Sequence, residues 1–141
     1  MVLKVGAGHY HGLVYWTELN TWDADKVMAY YGPIMGWTFD KAGTSGTGNP
    51  RPYYIAKKND HPVAGIFTMY GPNFDGISEH WFTYLAVDDL KSAINASNKA
   101  GGKVCRKPFE IPNFGTMAVV QAAGGVFQAF IEPAPTSGAD G

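Results

Sequence analysis

Two side chains carry most of the chemical promise of this chain, the carboxylate of Glu18 and the imidazole of His80. A carboxylate held near an imidazole can take a substrate proton and return it, once burial or a neighbouring charge has tuned both groups. The same two residues can be read as part of a relocated metal site completed by Gln128. A structural reading competes with both: Glu18 hydrogen-bonded to a neighbouring strand or helix end, and His80 capping a strand entry beside a loop. His9 and His11 have the spacing of a His-x-His grip, but they lie in a glycine-rich segment where nothing else points to a ligand. Cys105 is the sole cysteine. It stands next to Arg106 and Lys107, and without a defined base it reads as inert. No GxSxG elbow or nucleotide fingerprint occurs, and Gly43, Gly46 and Gly48 open no helix.

The aromatic residues make a more consistent set. Trp16, Phe82 and Tyr84 share the inward parity of two similar strands, and Trp37, Tyr53 or Tyr54, Phe67 and Met117 are candidates to join them. Together they suggest an apolar, aromatic-walled cleft for a flat or hydrophobic small molecule, with Glu18, Asn20 and Gln128 fixing its orientation. The alternative is that these rings fill the interior and leave no cavity.

The elements that would position these groups follow from pattern. Residues 14–20 are rich in β-formers and alternate, with Trp16, Glu18 and Asn20 on one face and Tyr15, Thr17 and Leu19 on the other. Thr21 offers an N-cap, and Val27, Tyr30, Tyr31 and Ile34 recur at helical spacing over 23–35. Gly32-Pro33 should distort the last turn, and Gly36 should end the helix. A polar loop is expected over 41–52, strands over 52–57 and 63–69, and a linker over 70–79. Then the order begins again. A strand over 80–87 places His80, Phe82, Tyr84 and Ala86 on one face. Asp88 and Asp89 cap a helix with Leu90, Ala93, Ile94, Ser97 and Ala100 on its buried stripe, and Gly101-Gly102 ends it. Strands are expected over 103–106, 116–121 and 125–131. Trp16 to Asp23 and Phe82 to Asp89 are offset by 66 residues, as are Gly36 and Gly102. An internal duplication of a small βαβββ unit accounts for this economically, chance similarity of two α+β halves being the alternative. The expected organisation is one domain over 1–133, with modules at about 12–70 and 79–133, and a flexible tail over 134–141.

Composition narrows the class. The chain has 141 residues, 45% of them hydrophobic and 14% aromatic, with only 16% charged, which excludes a disordered segment. Eleven basic residues face twelve acidic ones, a formal net charge of −1, so there is no basic excess for a nucleic-acid backbone. A single cysteine excludes an internal disulfide framework. No apolar run is long enough for a targeting or membrane segment, which leaves a cytoplasmic location as the expectation.

These features resemble the vicinal oxygen chelate superfamily, also called the glyoxalase/bleomycin resistance/dioxygenase proteins. The resemblance is carried by Trp16-Thr17-Glu18-Leu19-Asn20-Thr21-Trp22-Asp23 running into Ala29-Tyr30-Tyr31 and Gly36-Trp37. It continues through Val63-Ala64-Gly65-Ile66, Ala86-Val87-Asp88-Asp89-Leu90, Ala100-Gly101-Gly102 and the closing 127–133. It implies an α+β fold of two βαβββ modules whose curved sheets form a cup, and by analogy with many members a homodimer. Metal-dependent members place His, Glu or Gln at four inward positions, the first-strand ligand falling seven residues before the capping acid. Those positions are Trp16 and Phe82 here; Gln128 stands near the last one, and the matching place among Gly65, Ile66, Phe67 and Thr68 holds no good ligand. The resemblance therefore implies no metal centre of the usual kind and no cofactor. It argues against lactoylglutathione lyase, extradiol dioxygenase and thiol-transferase chemistry. The reading that follows is a metal-independent small-molecule binding protein with an aromatic-lined cleft for a largely apolar or aromatic ligand. The alternative is an isomerase or lyase using Glu18 as base with His80 or Tyr84 as acid, and a purely structural role would show a cup packed solid.

Overall fold

The computed structural model describes residues 10–45 and 51–135. His9, Gly46, Gly48 and the tail beyond 135 lie outside them. The chain runs β1 (Val14–Thr21), α1 (Ala24–Met35), β2 (Thr38–Ser45), β3 (Arg51–Lys58) and β4 (His61–Thr68). It then runs β5 (His80–Ala86), α2 (Leu90–Lys99), β6 (Lys103–Ile111), β7 (Gly115–Gln121) and β8 (Phe127–Pro133). A 3-10 turn at Pro72–Phe74 interrupts the connection between the two βαβββ series. The fold is α+β.

Two compact units emerge. One comprises residues 16–82; the other takes 83–135 together with 10–15. In the first, β2, β3, β4 and β1 lie side by side, with β1 parallel to β4 and the rest antiparallel. In the second, β5, β8, β7 and β6 repeat the arrangement, β5 being parallel to β8. The N-terminal segment is tied to the second unit by the Gly12 N–H on the Ala86 carbonyl at 2.8 Å and the Ala86 N–H on that of Leu13 at 2.9 Å.

Each helix begins at the same chemistry. Asp23 accepts from the Lys26 N–H at 3.1 Å, and Asp89 accepts from the Ser92 N–H at 3.3 Å. Each carboxylate thus satisfies a donor of the first turn and complements the helix dipole. Thr21 is not the cap expected from sequence. It ends β1, and its hydroxyl accepts from the Asp23 N–H at 3.1 Å and donates to the Glu79 carboxylate at 2.8 Å.

The helix ends differ from the 66-residue offset. Gly36 closes α1 with φ 69°, but the left-handed residue after α2 is Gly101, with φ 97°. There the Gly102 N–H returns to the Ser97 carbonyl at 2.8 Å and the Gly101 N–H to that of Asn98 at 3.3 Å, a paired closure that needs only one left-handed residue. Pro33 does not stop α1, which continues to Met35.

The expected loop over 41–52 is shorter than the sequence suggests. Lys41–Ser45 extends β2 and Arg51-Pro52 opens β3. An edge strand needs backbone pairing rather than apolar side chains, so a polar Gly/Ser/Thr run can still be a strand. β6 is likewise extended, reaching Ile111 through two register shifts, with most of its side chains exposed. β8 starts at Phe127 because Gly125, at φ 100°, belongs to the preceding turn.

α2 lays Leu90, Ala93 and Ile94 on Val87, Ala118, Val120 and Phe130. Four of these are buried to under a tenth of their surface, enough to anchor the helix at about 25 cal/mol per Å² of apolar area removed from water. α1 has no fully buried residue, and Tyr30, Ile34 and Met35 on it are exposed. No helix among the described residues is long and apolar enough to cross a membrane.

Candidate ligand-binding site

The first unit's sheet has two unlike faces. Leu19, on one of them, lines a depression with Val27, Tyr30 and Tyr31 of α1. Paired residues share a face, so Ile66, opposite Leu19, and Tyr54, opposite Ile66, belong to the helix side as well. Trp16, Glu18 and Asn20 alternate to the other side of β1, where Glu18 pairs with Gly65 and Asn20 with Phe67.

On that second face the side chains are wired together. The Trp16 indole Nε1–H donates to the Tyr53 hydroxyl at 3.2 Å, and that hydroxyl donates to Glu18 Oε1 at 2.9 Å. Glu18 and Asn20 are each only 7% exposed. The Asn20 amide donates to the Glu18 backbone carbonyl at 3.4 Å. Among the described residues no buried side-chain nitrogen or oxygen lacks a partner, as burial of a carboxylate demands. Gly65 makes the arrangement possible: a Cβ there would lie 1.7 Å from the Tyr53 hydroxyl oxygen. Beyond Phe67 the aromatic surface continues, with Tyr70 at 6.4 Å and Phe74 at 5.7 Å between ring centroids.

His80 opens β5 and is held on the loop that precedes it. Its Nδ1 lies 2.8 Å from the Ser78 carbonyl, and its ring meets Phe82 edge-on at 6.3 Å. A carbonyl only accepts, so Nδ1 is the donor of this bond. Phe82 is half-buried. Trp37 is on the helix side of the unit, stacked on Tyr31 at 5.7 Å and edge-on to Trp81 at 6.4 Å, away from the face of Trp16. The Gly36 turn that ends α1 folds its ring back on the helix.

In the second unit Tyr84 is buried and pairs with Ala129, while Met117 pairs with Ile131. Tyr84 and Met117 therefore share a face, on which Tyr84 meets Phe114 at 5.9 Å and Phe114 meets Tyr15 at 5.7 Å. Burial and the nearby Tyr10 push the Tyr15 hydroxyl above its ordinary pKa. Gln128 is corrected by the register. It pairs with Val120, whose side chain belongs to the α2 core, so Gln128 points to the helix side and Ala129 occupies the position beside Tyr84. His11 accepts the Asp88 N–H on Nδ1 at 3.0 Å, and Cys105 is exposed with Sγ 3.7 Å from the Lys103 carbonyl.

The donor set does not fit a divalent cation, which needs about three nitrogen, oxygen or sulfur ligands from the protein. In the first unit Trp16 offers only an N–H, Phe82 offers nothing, and Gly65 has no side chain. In the second, Ala129 stands where a ligand would be needed. Among the described residues no three His, Cys, Asp or Glu side chains gather into a metal-binding group.

One residue of this face was left open between two candidates by the sequence, and another was missed. Tyr53 was one of two adjacent tyrosines, and only the pairing of β3 with β4 decides which of them meets Glu18. Arg51, two residues before Tyr53 on the same side of β3, carries its guanidinium carbon 5.5 Å from the centre of the Tyr70 ring.

The model of the Glyoxalase/Bleomycin resistance protein/Dioxygenase superfamily matches residues 13–130. Proteins of Mycobacterium bovis and Mycobacterium tuberculosis named "Putative glyoxylase CFP32" are 32% identical over 124 residues, which cover 88% of this chain and 45% of theirs. The chain thus spans about half the length of the curated relatives it matches. Among solved structures, methylmalonyl-CoA epimerase from Mycobacterium tuberculosis superposes with a TM-score of 0.57 at 15% identity, covering 92% of this chain and 97% of that one. A mutant of 4-hydroxymandelate synthase from Streptomyces coelicolor gives 0.61 at 15% identity, covering 89% of this chain and 40% of the synthase. At such identities the likeness establishes the fold alone.

Proposed function

The chain belongs to the glyoxalase/bleomycin resistance protein/dioxygenase superfamily, and we propose that within it this protein is a metal-independent binder of a small, largely apolar or aromatic molecule. The observation that carries the reading is the Trp16–Tyr53–Glu18 chain. Indole has one donor and Trp16 uses it on Tyr53, so the ring brings an aromatic surface to this face and no lone pair for a cation. Glu18 and Asn20 set polar points into that aromatic floor, where they orient a ligand. Homodimerisation accompanies this reading on the strength of the family resemblance, and a cytoplasmic location is kept as the default.

Tryptophan fluorescence tests it. A panel of aromatic compounds should include one that quenches emission saturably, and Trp16→Phe should remove that quench while Trp22, Trp37 and Trp81 still emit. A quench unchanged in the variant, or no saturable compound at all, refutes the reading.

The Tyr53–Glu18 hydrogen bond at 2.9 Å favours a second reading, an isomerase or lyase in which Glu18 takes the substrate proton. His80, held on the Ser78 carbonyl, is a poorer partner for it than Tyr53. Here Glu18→Gln should cut turnover by about 10²-fold or more while binding survives. Equal activity in that variant ends the enzyme reading.

A further inference from the structure

The helix side of the first unit carries a cavity of its own. It measures about 540 Å³ and lies between α1 and the start of β5, with Leu19 and Val27 as its apolar part. Three rings line it as well. Tyr30 and Trp81 each meet Tyr31 nearly at right angles, at 4.9 and 5.6 Å between centroids and 88° and 76° between planes. At those spacings one cationic group can stand within about 6 Å of more than one ring. Tyr30 is 61% exposed and Trp81 40%, so packing inside the unit leaves much of this aromatic surface uncovered. The lining also holds one carboxylate and one amine. Glu79 is fixed by two neutral donors on Oε2, the Thr21 hydroxyl at 2.8 Å and the Trp22 N–H at 3.0 Å. Neither Glu79 nor Lys26 forms a salt bridge among the described residues. His80 completes the lining, its Nδ1 donating to the Ser78 carbonyl.

We propose that this cavity binds a small zwitterion whose cationic end is a methylated ammonium. The rings and Glu79 take the ammonium, and Lys26, on its flexible stem, takes the anionic end. A methylated ammonium spreads its charge over apolar methyl groups and needs no hydrogen-bond acceptors, which suits rings beside Leu19 and Val27. A primary ammonium is a compact, strongly hydrated charge and gains less from the same surface. The opposed charges of the lining also discriminate. A ligand with only a positive charge meets Lys26, and one with only a negative charge meets Glu79. Leu19 and the rings of α1 lie on the side of β1 away from Trp16 and Glu18, so this site is independent of the aromatic floor proposed above.

The test titrates the full chain by NMR with three probes: 4-(trimethylammonio)butanoate, its carbon isostere 5,5-dimethylhexanoate, and choline. The zwitterion should move the indole N–H signal of Trp81, leave that of Trp16 in place, and bind about fivefold or more tighter than the isostere, the worth of a cation beside rings and a carboxylate. Tyr30→Leu, at an exposed position, should weaken the zwitterion but not the isostere. Glu79→Gln, which keeps an acceptor for Thr21 and Trp22, should do the same. Lys26→Met should weaken the zwitterion about threefold while choline binds no worse. Equal affinity for zwitterion and isostere overturns the proposal, as does a failure of all three probes to bind. Equal weakening of zwitterion and choline by Lys26→Met overturns the role given to the amine. Trp16→Phe should change none of these affinities; loss of binding in that variant would put the ligand on the other face and refute this site, while the first site keeps its own quenching test.

Discussion

Gly65→Ala attacks the site through one methyl group. The new Cβ would lie 1.7 Å from the Tyr53 hydroxyl oxygen, 2.5 Å from its ring carbon Cζ and 3.0 Å from Trp16 Nε1, against 3.4–4 Å for ordinary contact. The tyrosine tip must therefore retreat by well over an ångström, which breaks the bonds at 2.9 Å to Glu18 and 3.2 Å from Trp16. Losing a hydrogen bond to a carboxylate and a neutral one costs about 2–4 kcal/mol. Alanine returns about 0.5–1 kcal/mol because it suits a strand better than glycine. The net, about 1–3.5 kcal/mol, should lower the melting temperature by about 3–14 °C for a domain of this size. Thermal unfolding in two backgrounds isolates the cause. With Tyr53 present the substitution should cost that amount; in Tyr53→Ala, where no ring obstructs the methyl, its cost should fall close to zero. An equal cost in both backgrounds, or none in either, would show that the wiring of Glu18 does not depend on the vacancy at Gly65.

Three further expectations follow. Elemental analysis of protein purified without chelator should find no stoichiometric metal, and EDTA, Ni²⁺, Zn²⁺ or Mn²⁺ should leave the melting temperature unmoved; a midpoint that climbs with one cation refutes this. Tyr15, raised by burial and by Tyr10, and Lys57, raised first by its hydrogen bond to Asp40, both hold their protons more tightly in the folded state. Their contributions are complete below the ordinary values of 10.0 and 10.5 and are lost as pH rises from there through the raised folded values, so stability should decline above about pH 10. Tyr15→Phe should flatten that decline, and an unchanged slope in urea titrations would count against it. Asp23→Ala and Asp89→Ala should each cost about 1 kcal/mol through loss of a helix cap, whereas Thr21→Val, which keeps Asp23, should leave the far-UV helix signal of α1 intact.

The repeated βαβββ order was legible because it rests on local signals: alternation in β1 and β5, a capping aspartate before each helix, glycine after it. The edges were not. β2 and β6 are built from polar residues whose strand state is decided by the neighbour they pair with, and no periodicity within Lys41–Ser45 or Lys107–Ile111 reveals that neighbour. The site divided in the same way. Parity within β1 correctly grouped Trp16, Glu18 and Asn20. Gln128 needed the phase of β8 against β7, Tyr53 the phase of β3 against β4, and Trp37 the path of the chain after Gly36. The first two are registers between consecutive strands, fixed by the turn that joins them, and a one-residue slip in either turns every side chain to the opposite face. Glu18 could be recognised as buried, but its partner could not, because Tyr53 and Tyr54 are chemically identical and adjacent.

The sparing cover of α1 has its own consequence. A helix that shields none of its side chains completely is fastened by comparatively little, and peeling it away exposes less new apolar surface than peeling α2 would. Amide protons of α1 should then trade with solvent through small, frequent openings, while those of β7 and α2 wait for the whole unit to come apart. Replacing Tyr30, Ile34 or Met35 with lysine or glutamate would consequently trade a sticky exterior for a soluble one at little thermodynamic loss.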